Sequence, residues 1–215
     1  MNENGPSVAL VDYGAGNLLS IERALQVLGA SVRVVRRGDQ LGHPDLVVMP
    51  GVGAQGPAIR RLRRSGMAGA IESAVGAGAW YLGVCLGMQL LFEVSEEDGS
   101  RGLGWLEGET RCLPDAPTLP HVGWNEVETV GGNEVVPTAP HPMFDGLPAR
   151  IPMYFVHSYA PVPRERGVVV AETSHGGRFA SAVASGRLLG VQFHPEKSAA
   201  DGLRVLDNVL RTVAA

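Results

Sequence analysis

The pentapeptide Gly83-Val84-Cys85-Leu86-Gly87 follows a short apolar run and precedes Met88-Gln89-Leu90-Leu91-Phe92, whose residues suit a helix. It is the thiol form of the G-x-S-x-G nucleophile elbow, in which the nucleophile occupies a sharp strand-to-helix turn that small neighbours allow to close. A helix N-terminus beneath a thiol favours the thiolate. The Leu86 N–H, next in the chain, is placed to donate to an oxyanion forming at an attacked carbonyl. A thiol nucleophile needs a base, and the base needs an acceptor that orients it. Val191-Gln192-Phe193-His194-Pro195-Glu196 offers both. Pro195 keeps His194 out of the helical region, and extended alternation would turn His194 and Glu196 to one face. Glu196 would then hold one ring nitrogen and leave the other for Cys85. Pro50-Gly51-Val52-Gly53 is a third candidate. Two glycines around one residue let a peptide N–H approach a ligand, or reverse direction, at low steric cost. Each motif alone has a plainer reading: a buried structural cysteine, a loop, an ordinary strand-to-helix turn.

These turns need elements to position them. Ser7 to Val11, Ser31 to Val35, Leu46 to Met49 and Ala79 to Val84 read as short buried strands. Leu18 to Leu28 carries apolar residues at helical spacing, and Gly29 suits its C-cap. A helix containing Arg60-Arg61-Leu62-Arg63-Arg64 follows the third strand, and another ends near Gly76-Ala77-Gly78. Strand–helix–strand repetition argues for a parallel sheet covered by helices, with a site beyond the carboxyl ends of its strands. The turns at 12–17, 50–53 and 85–89 should therefore converge on one edge. From Gly102 to Phe193 the pattern changes to short β-like pieces (Glu126–Val130, Met153–Tyr159, Val168–Ala171, Phe179–Ala184, Leu188–Phe193) between Pro and Gly turns. This predicts mixed or antiparallel sheet attached to the parallel core. Asp201 to Val213 returns to helical spacing.

Composition excludes several classes. The 29 glycines and 15 prolines among 215 residues exceed ordinary usage, but they have no period and no long runs, which excludes collagen and flexible linkers. An apolar fraction of 45% is enough for a core, so disorder is excluded. The net charge of −4 disfavours nucleic acid as the main ligand. The arginine cluster reads as a solvated helix face or, second, a docking surface. Two cysteines, Cys85 and Cys112, cannot build a disulfide framework. The start of the chain lacks the pattern of a signal peptide. Ser73 to Phe92 is uncharged for 20 residues, long enough to span a bilayer, but its glycines and its change of period predict helix end, strand, sharp turn and helix start. A cytoplasmic protein of one domain, 1–215, is expected, with no membrane contact.

The motifs together resemble the class I (triad-type) glutamine amidotransferases. The matching segments are Asp12-Tyr13-Gly14-Ala15-Gly16-Asn17, Pro50-Gly51-Val52-Gly53, Gly83-Val84-Cys85-Leu86-Gly87-Met88-Gln89, His121-Val122-Gly123-Trp124-Asn125, Phe155-Val156-His157-Ser158-Tyr159 and Phe193-His194-Pro195-Glu196-Lys197-Ser198. The first, the Gly-Trp-Asn segment and the Lys-Ser after His-Pro-Glu resemble the histidine-biosynthesis branch, the glutaminases of imidazole glycerol phosphate synthase. The resemblance implies a flavodoxin-like α/β fold: a central, mostly parallel sheet with helices on both faces plus a smaller antiparallel section. It implies that Cys85 attacks the glutamine amide carbon, that His194 takes the thiol proton and returns it to departing ammonia, and that Glu196 orients His194. Leu86 and Val52 would supply the oxyanion hole. Gly51, Gly53, Gln89, Ser158 and Tyr159 would bind L-glutamine, with Gln89 one helical turn after Cys85. Asn17, Trp124 and Lys197 would face a partner, or else serve packing and capping. The implied partner is a (β/α)8-barrel cyclase subunit, which uses the ammonia to make imidazole glycerol phosphate and an aminoimidazole carboxamide ribotide. The chain has neither a phosphate loop nor room for such a barrel, so a heterodimer is expected, with an oxyanion turn that is set when the partner is liganded. No cofactor and no metal are implied. His157 and Cys112 read as structural. A glutaminase of pyridoxal 5'-phosphate or purine synthesis is the alternative. A non-catalytic chaperone or redox sensor acting through Cys85 is a reading of another class, one that would not need His194 and Glu196.

Overall fold

The apolar runs of the first half become strands, buried on both faces except for the edge run at 31–35, where Ser31 and Arg33 are exposed. In the computed structural model, residues 5–14, 18–113, 115–130 and 140–215 are described. The first half runs β1 (Ser7–Val11), α1 (Leu18–Val27), β2 (Ser31–Val35), β3 (Leu46–Gly51), α2 (Gln55–Arg64), α3 (Met67–Gly76), β4 (Trp80–Cys85) and α4 (Leu86–Gln89). The second half adds β5 (Val94–Ser95), β6 (Gly108–Cys112), β7 (His121–Thr129), β8 (Arg150–His157), β9 (Tyr159–Pro163), β10 (Val169–His175), β11 (Gly177–Ser185), β12 (Leu188–Val191) and α5 (Ala199–Ala214).

Strand alternation divides the core in two. Leu10, Val48 and Leu82 face one side of the sheet and pack with Ile21 and Leu25 of α1 and Leu206 and Val209 of α5. Val11, Val47 and Tyr81 face the other side and pack with Ile59 and Leu62 of α2 and Ile71 of α3. Covering both faces in this way is what lets a parallel sheet form. The main sheet has the order β2-β1-β3-β4-β12-β11-β10-β7-β8. From β2 to β12 its neighbours are parallel, and from β12 to β8 they are antiparallel. A second sheet, β5-β6-β9, lies beside it. The parallel core with an antiparallel extension agrees with the sequence expectation, and no helix among the described residues is long and apolar enough to cross a membrane.

Several boundaries differ for identifiable reasons. β3 continues through Pro50 and Gly51 because β4 pairs with both, Pro50 opposite Val84 and Gly51 opposite Cys85. The turn therefore begins at Val52, two residues later than Pro and Gly suggest. β7 begins at His121, so the Gly-Trp-Asn segment is strand, paired residue for residue with β8. The expected Met153–Tyr159 strand divides at Ser158, where β8 ends and β9 leaves for the second sheet. β12 runs parallel to β4, although it lies in the stretch expected to be mixed.

Two glycines let the elbow close. A Cβ on Gly83 would overlap the Gly87 carbonyl, and one on Gly87 would overlap the Met49 carbonyl. Gly53 has open space around its Cα and a φ of +88°, so there a side chain would meet backbone strain only. Gly87→Ala should therefore destabilise the fold by roughly 3 kcal/mol, and Gly53→Ala by about 1 kcal/mol. Urea unfolding of the two variants checks this, and equal losses would contradict the packing argument.

Candidate active site

Cys85 ends β4 with φ 54° and ψ −110°, a conformation that side-chain-bearing residues avoid and that marks strain at functional positions. α4 starts at Leu86 and lasts one turn. Its dipole is correspondingly short, and the positive charge beside the sulfur comes instead from His194, whose pKa responds to Cys85.

His194 follows β12 in extended conformation, with φ −101° and ψ 95°. Its N–H donates to the Tyr154 carbonyl at 2.8 Å. Its own carbonyl accepts from the Ser198 hydroxyl at 2.7 Å, and that hydroxyl accepts from the Tyr154 N–H at 2.9 Å. Pro195 does hold His194 extended, but Glu196 belongs to a one-turn 3-10 helix, Pro195–Lys197, rather than to an extended alternation. The turn folds the carboxylate back, so that His194 Nδ1 donates to Glu196 Oε1 at 2.9 Å. Both side chains are 5% exposed. Because Nδ1 is committed to Glu196, Nε2 is the nitrogen left to exchange a proton with Cys85, and it is buried without a hydrogen-bond partner among the described residues.

The Cys85 Sγ lies 3.8 Å from the Val156 carbonyl, which can accept the thiol proton's hydrogen bond, and 3.5 Å from Gln192 Nε2. Burial disfavours a charged His194, but Cys85 and Glu196 outweigh it and push the imidazole up to about 9. The arrangement can move a proton from Sγ to Nε2 and stabilise the resulting imidazolium on Glu196. It can then return that proton to a leaving amine.

The structure brings most of the substrate candidates together. Val52, Gly53, Leu86, Gln89, Ser158 and Tyr159 line one cavity of about 240 Å³ with Cys85 at its wall. Glu97 and His157 line it as well, and spacing alone did not place them there. Gly51 is not on the wall. It is wedged between the Tyr13 hydroxyl and the Leu86 side chain, where a Cβ would overlap the former. The Val52 N–H approaches the Tyr13 hydroxyl, which is buried without closing a hydrogen bond. Burial, then the neighbouring Cys85, raises the Tyr13 pKa well above its ordinary value. Gln89 is buried, and its Nε2 donates to the Tyr159 carbonyl at 2.8 Å and to Gln192 Oε1 at 3.1 Å.

Of the partner candidates, Asn17 lies outside the described residues. Trp124 is 56% exposed on β7, and its ring centre is 6.2 Å from that of Tyr154, its cross-strand partner on β8. The exposed Lys197 places Nζ 5.8 Å from the centre of the same Tyr154 ring. Tyr154 thus joins two residues chosen independently, and only the β7–β8 register reveals it. Gln192 had a sequence signal: it is two residues before His194, immediately after the strand that pairs with the nucleophile strand. Cys112 is half-buried and lines a second cavity; on β6 it lies opposite Tyr159 of β9 but is not itself on the wall of the first.

The raised pKa of His194 links the pair to folding. Its folded value of about 9 exceeds the ordinary 6.5. Its contribution to stability is therefore complete below about pH 6.5 and disappears as pH rises through about 9. Denaturant unfolding across that window should show the decline, and Glu196→Gln should flatten it. An equally steep profile in the variant would remove Glu196 as a source of the shift.

Comparison with known proteins places the chain. The family model "Glutamine amidotransferase class-I" matches residues 9–212. A curated protein of Moorella thermoacetica, "Imidazole glycerol phosphate synthase subunit HisH", is 44% identical over 202 residues, covering 94% of this chain and 92% of that protein. A protein of the same name from Salinibacter ruber is 45% identical over 207 residues, covering 93% and 91%. Among solved structures, "Structure of PurLQS from Thermotoga maritima" superposes with a TM-score of 0.74 at 20% identity over 97% of this chain and 99% of that one, a likeness of fold. The chain, with its thiol elbow and its paired His194 and Glu196, belongs to the class I glutamine amidotransferases.

Proposed function

We propose that this chain is the glutaminase subunit of an imidazole glycerol phosphate synthase: it hydrolyses L-glutamine and passes the ammonia to a cyclase subunit for histidine biosynthesis. The observation that carries the reading is the buried His194–Glu196 pair, whose unpartnered Nε2 faces the chemistry of Cys85 at a strained elbow. The identity to relatives bearing that subunit name selects the histidine branch over the pyridoxal phosphate and purine alternatives.

In this reading Cys85 Sγ attacks the side-chain amide carbon of glutamine after giving its proton to His194 Nε2. The Leu86 N–H holds the oxyanion, joined by Val52 N–H once that peptide turns away from Tyr13. His194 protonates the departing ammonia, and water then hydrolyses the thioester to glutamate. Gly53, Gln89, Ser158 and Tyr159 form the walls of the substrate cavity, and Gly51 spaces the turn from Tyr13.

Ammonia released into bulk water at neutral pH would be protonated and would lose its nucleophilicity, so the product needs an enclosed route to its acceptor. A (β/α)8-barrel cyclase docked over Trp124, Tyr154 and Lys197 would supply it, with the whole of 1–215 acting as one amidotransferase domain in the cytoplasm. Asn17 belongs to the same proposed interface. Neither cofactor nor metal enters this scheme.

Glutamate release measured for the chain alone, with the cyclase, and with the cyclase plus its nucleotide ligand should increase in that order. Equal rates in all three would end the idea that the Val52 turn is set by the partner. Cys85→Ala should lower glutamate release by roughly a thousandfold or more, and a variant at full rate would defeat the glutaminase reading.

A further inference from the structure

A line of polar groups runs from β7 to the sulfur of Cys85. Asn125 Nδ2 meets His121 Nε2 at 3.1 Å, and His121 Nδ1 meets His157 Nε2 at 3.0 Å. His157 Nδ1 meets the Tyr159 carbonyl at 3.0 Å. Gln89 Nε2 meets that carbonyl from the other side and continues to Gln192 Oε1, and Gln192 Nε2 ends 3.5 Å from Sγ.

One group fixes the direction of every link. A peptide carbonyl only accepts. The Gln89 atom facing Tyr159 is therefore its amide nitrogen, and the His157 nitrogen facing it carries hydrogen. Working outward, His157 Nε2 must accept from His121 Nδ1–H, and His121 Nε2 must accept from Asn125. Burial enforces the neutral rings this requires, holding His157 down at about 3 and His121, with His175 beside it, at about 4. Working inward, the second Gln89 hydrogen points at Gln192. The facing atom there must be Oε1, so Gln192 presents its nitrogen to the sulfur. Gln192 is completely buried, and a donor in that setting needs an acceptor.

We propose that Gln192 is a further catalytic residue, donating a hydrogen bond to the Cys85 thiolate, and that Gln89, the Tyr159 carbonyl and His157 are positioning groups that hold its carboxamide in that orientation. The inference rests on the glutaminase reading with Cys85 as nucleophile. As a thiol, Cys85 can donate to the Val156 carbonyl. Once ionised it loses that bond and faces the same carbonyl as a like partial charge. The Gln192 N–H then gains strength, because hydrogen bonds to ionised acceptors are the stronger kind. The titratable groups facing the sulfur are His194, from the turn after β12, and Tyr13, from the loop after β1. Gln192 supplies a fixed dipole that neither of them can replace. A second consequence concerns Gln89. Both of its hydrogens are used inside the protein, so it offers glutamine its Oε1, an acceptor and no donor.

The test is the pH dependence of iodoacetamide alkylation of the full chain in a Cys112→Ser background, where Cys85 is the only thiol. Gln192→Met keeps length and packing but removes the donor. Its alkylation midpoint should rise by about one pH unit, with roughly tenfold slower alkylation below it. Its kcat for glutamine should fall by a similar factor with KM little changed. Gln89→Met should move the midpoint in the same direction by less, since the Gln192 amide is then free to turn, and it serves as the readout should Gln192→Met not fold. An unchanged midpoint in a folded Gln192→Met protein, or in Gln89→Met if that is the variant in hand, would overturn the proposal. Alkylation needs no glutamine, so failure of the glutaminase reading would appear separately, as absent glutamate release from the unsubstituted chain.

Discussion

The parallel pairing of β4 with β12 is the contact on which the site depends. Val84 lies opposite Val191, so the residues that leave the two strands, Cys85 and Leu86 on one and Gln192 to His194 on the other, emerge side by side. The two motifs are more than a hundred positions apart in sequence, yet their adjacency needs no long side chain and no flexible loop. A slip of one residue would turn every alternate side chain to the opposite face, and the two buried cores on either side of the sheet oppose such a slip. The same pairing places β3 on the other flank of β4, which brings the Val52 turn to the elbow.

Around that pairing the chain buries polar groups that a purely structural core would avoid. His194 Nε2, Glu196 Oε2 and the Tyr13 hydroxyl lack hydrogen-bond partners among the described residues. Cys85 occupies an unfavourable backbone region. Each of these costs stability, and all of them lie within the elbow, its base or its oxyanion turn. Elsewhere the sheet is mostly apolar, with buried polar exceptions on β7, β8, β10 and β11 such as His121, His157, Glu172, Thr173 and Ser181. Unpartnered buried groups occur elsewhere too, at Gln55, Ser100, Thr110, Thr173 and Ser181, and Asp115 and Ala199 share the positive φ, but among the described residues only at the elbow do a strained backbone, a buried base and a buried carboxylate meet.

Much of this was legible in the sequence because it depends on local rules. Glycine spacing marks the elbow, Pro195 keeps His194 extended, and short apolar runs mark β1 to β4. What was not legible depends on neighbours distant in sequence. Pro50 and Gly51 join β3 because β4 pairs with them. Ser158 divides two strands because the second sheet takes the chain away. The Glu196 carboxylate reaches His194 through a 3-10 turn, where alternation suggested a straight strand. Tyr154 acquires its role from cross-strand register, and Gln192 from side chains distant in sequence, neither of which a single sequence encodes in its local pattern. The Asn17 position lies outside the described residues.

Tyr154 has an architectural consequence. Its ring carries the contacts to Trp124 and Lys197 at the surface, while its backbone carbonyl receives the His194 N–H and its backbone N–H donates to Ser198. One residue is therefore both the outer skin of the molecule and the mount of the imidazole. Its backbone meets the His194 segment twice, directly through the 2.8 Å hydrogen bond and again through the Ser198 hydroxyl. A contact made on the Tyr154 ring at the surface therefore stands one residue and one hydrogen bond from the base.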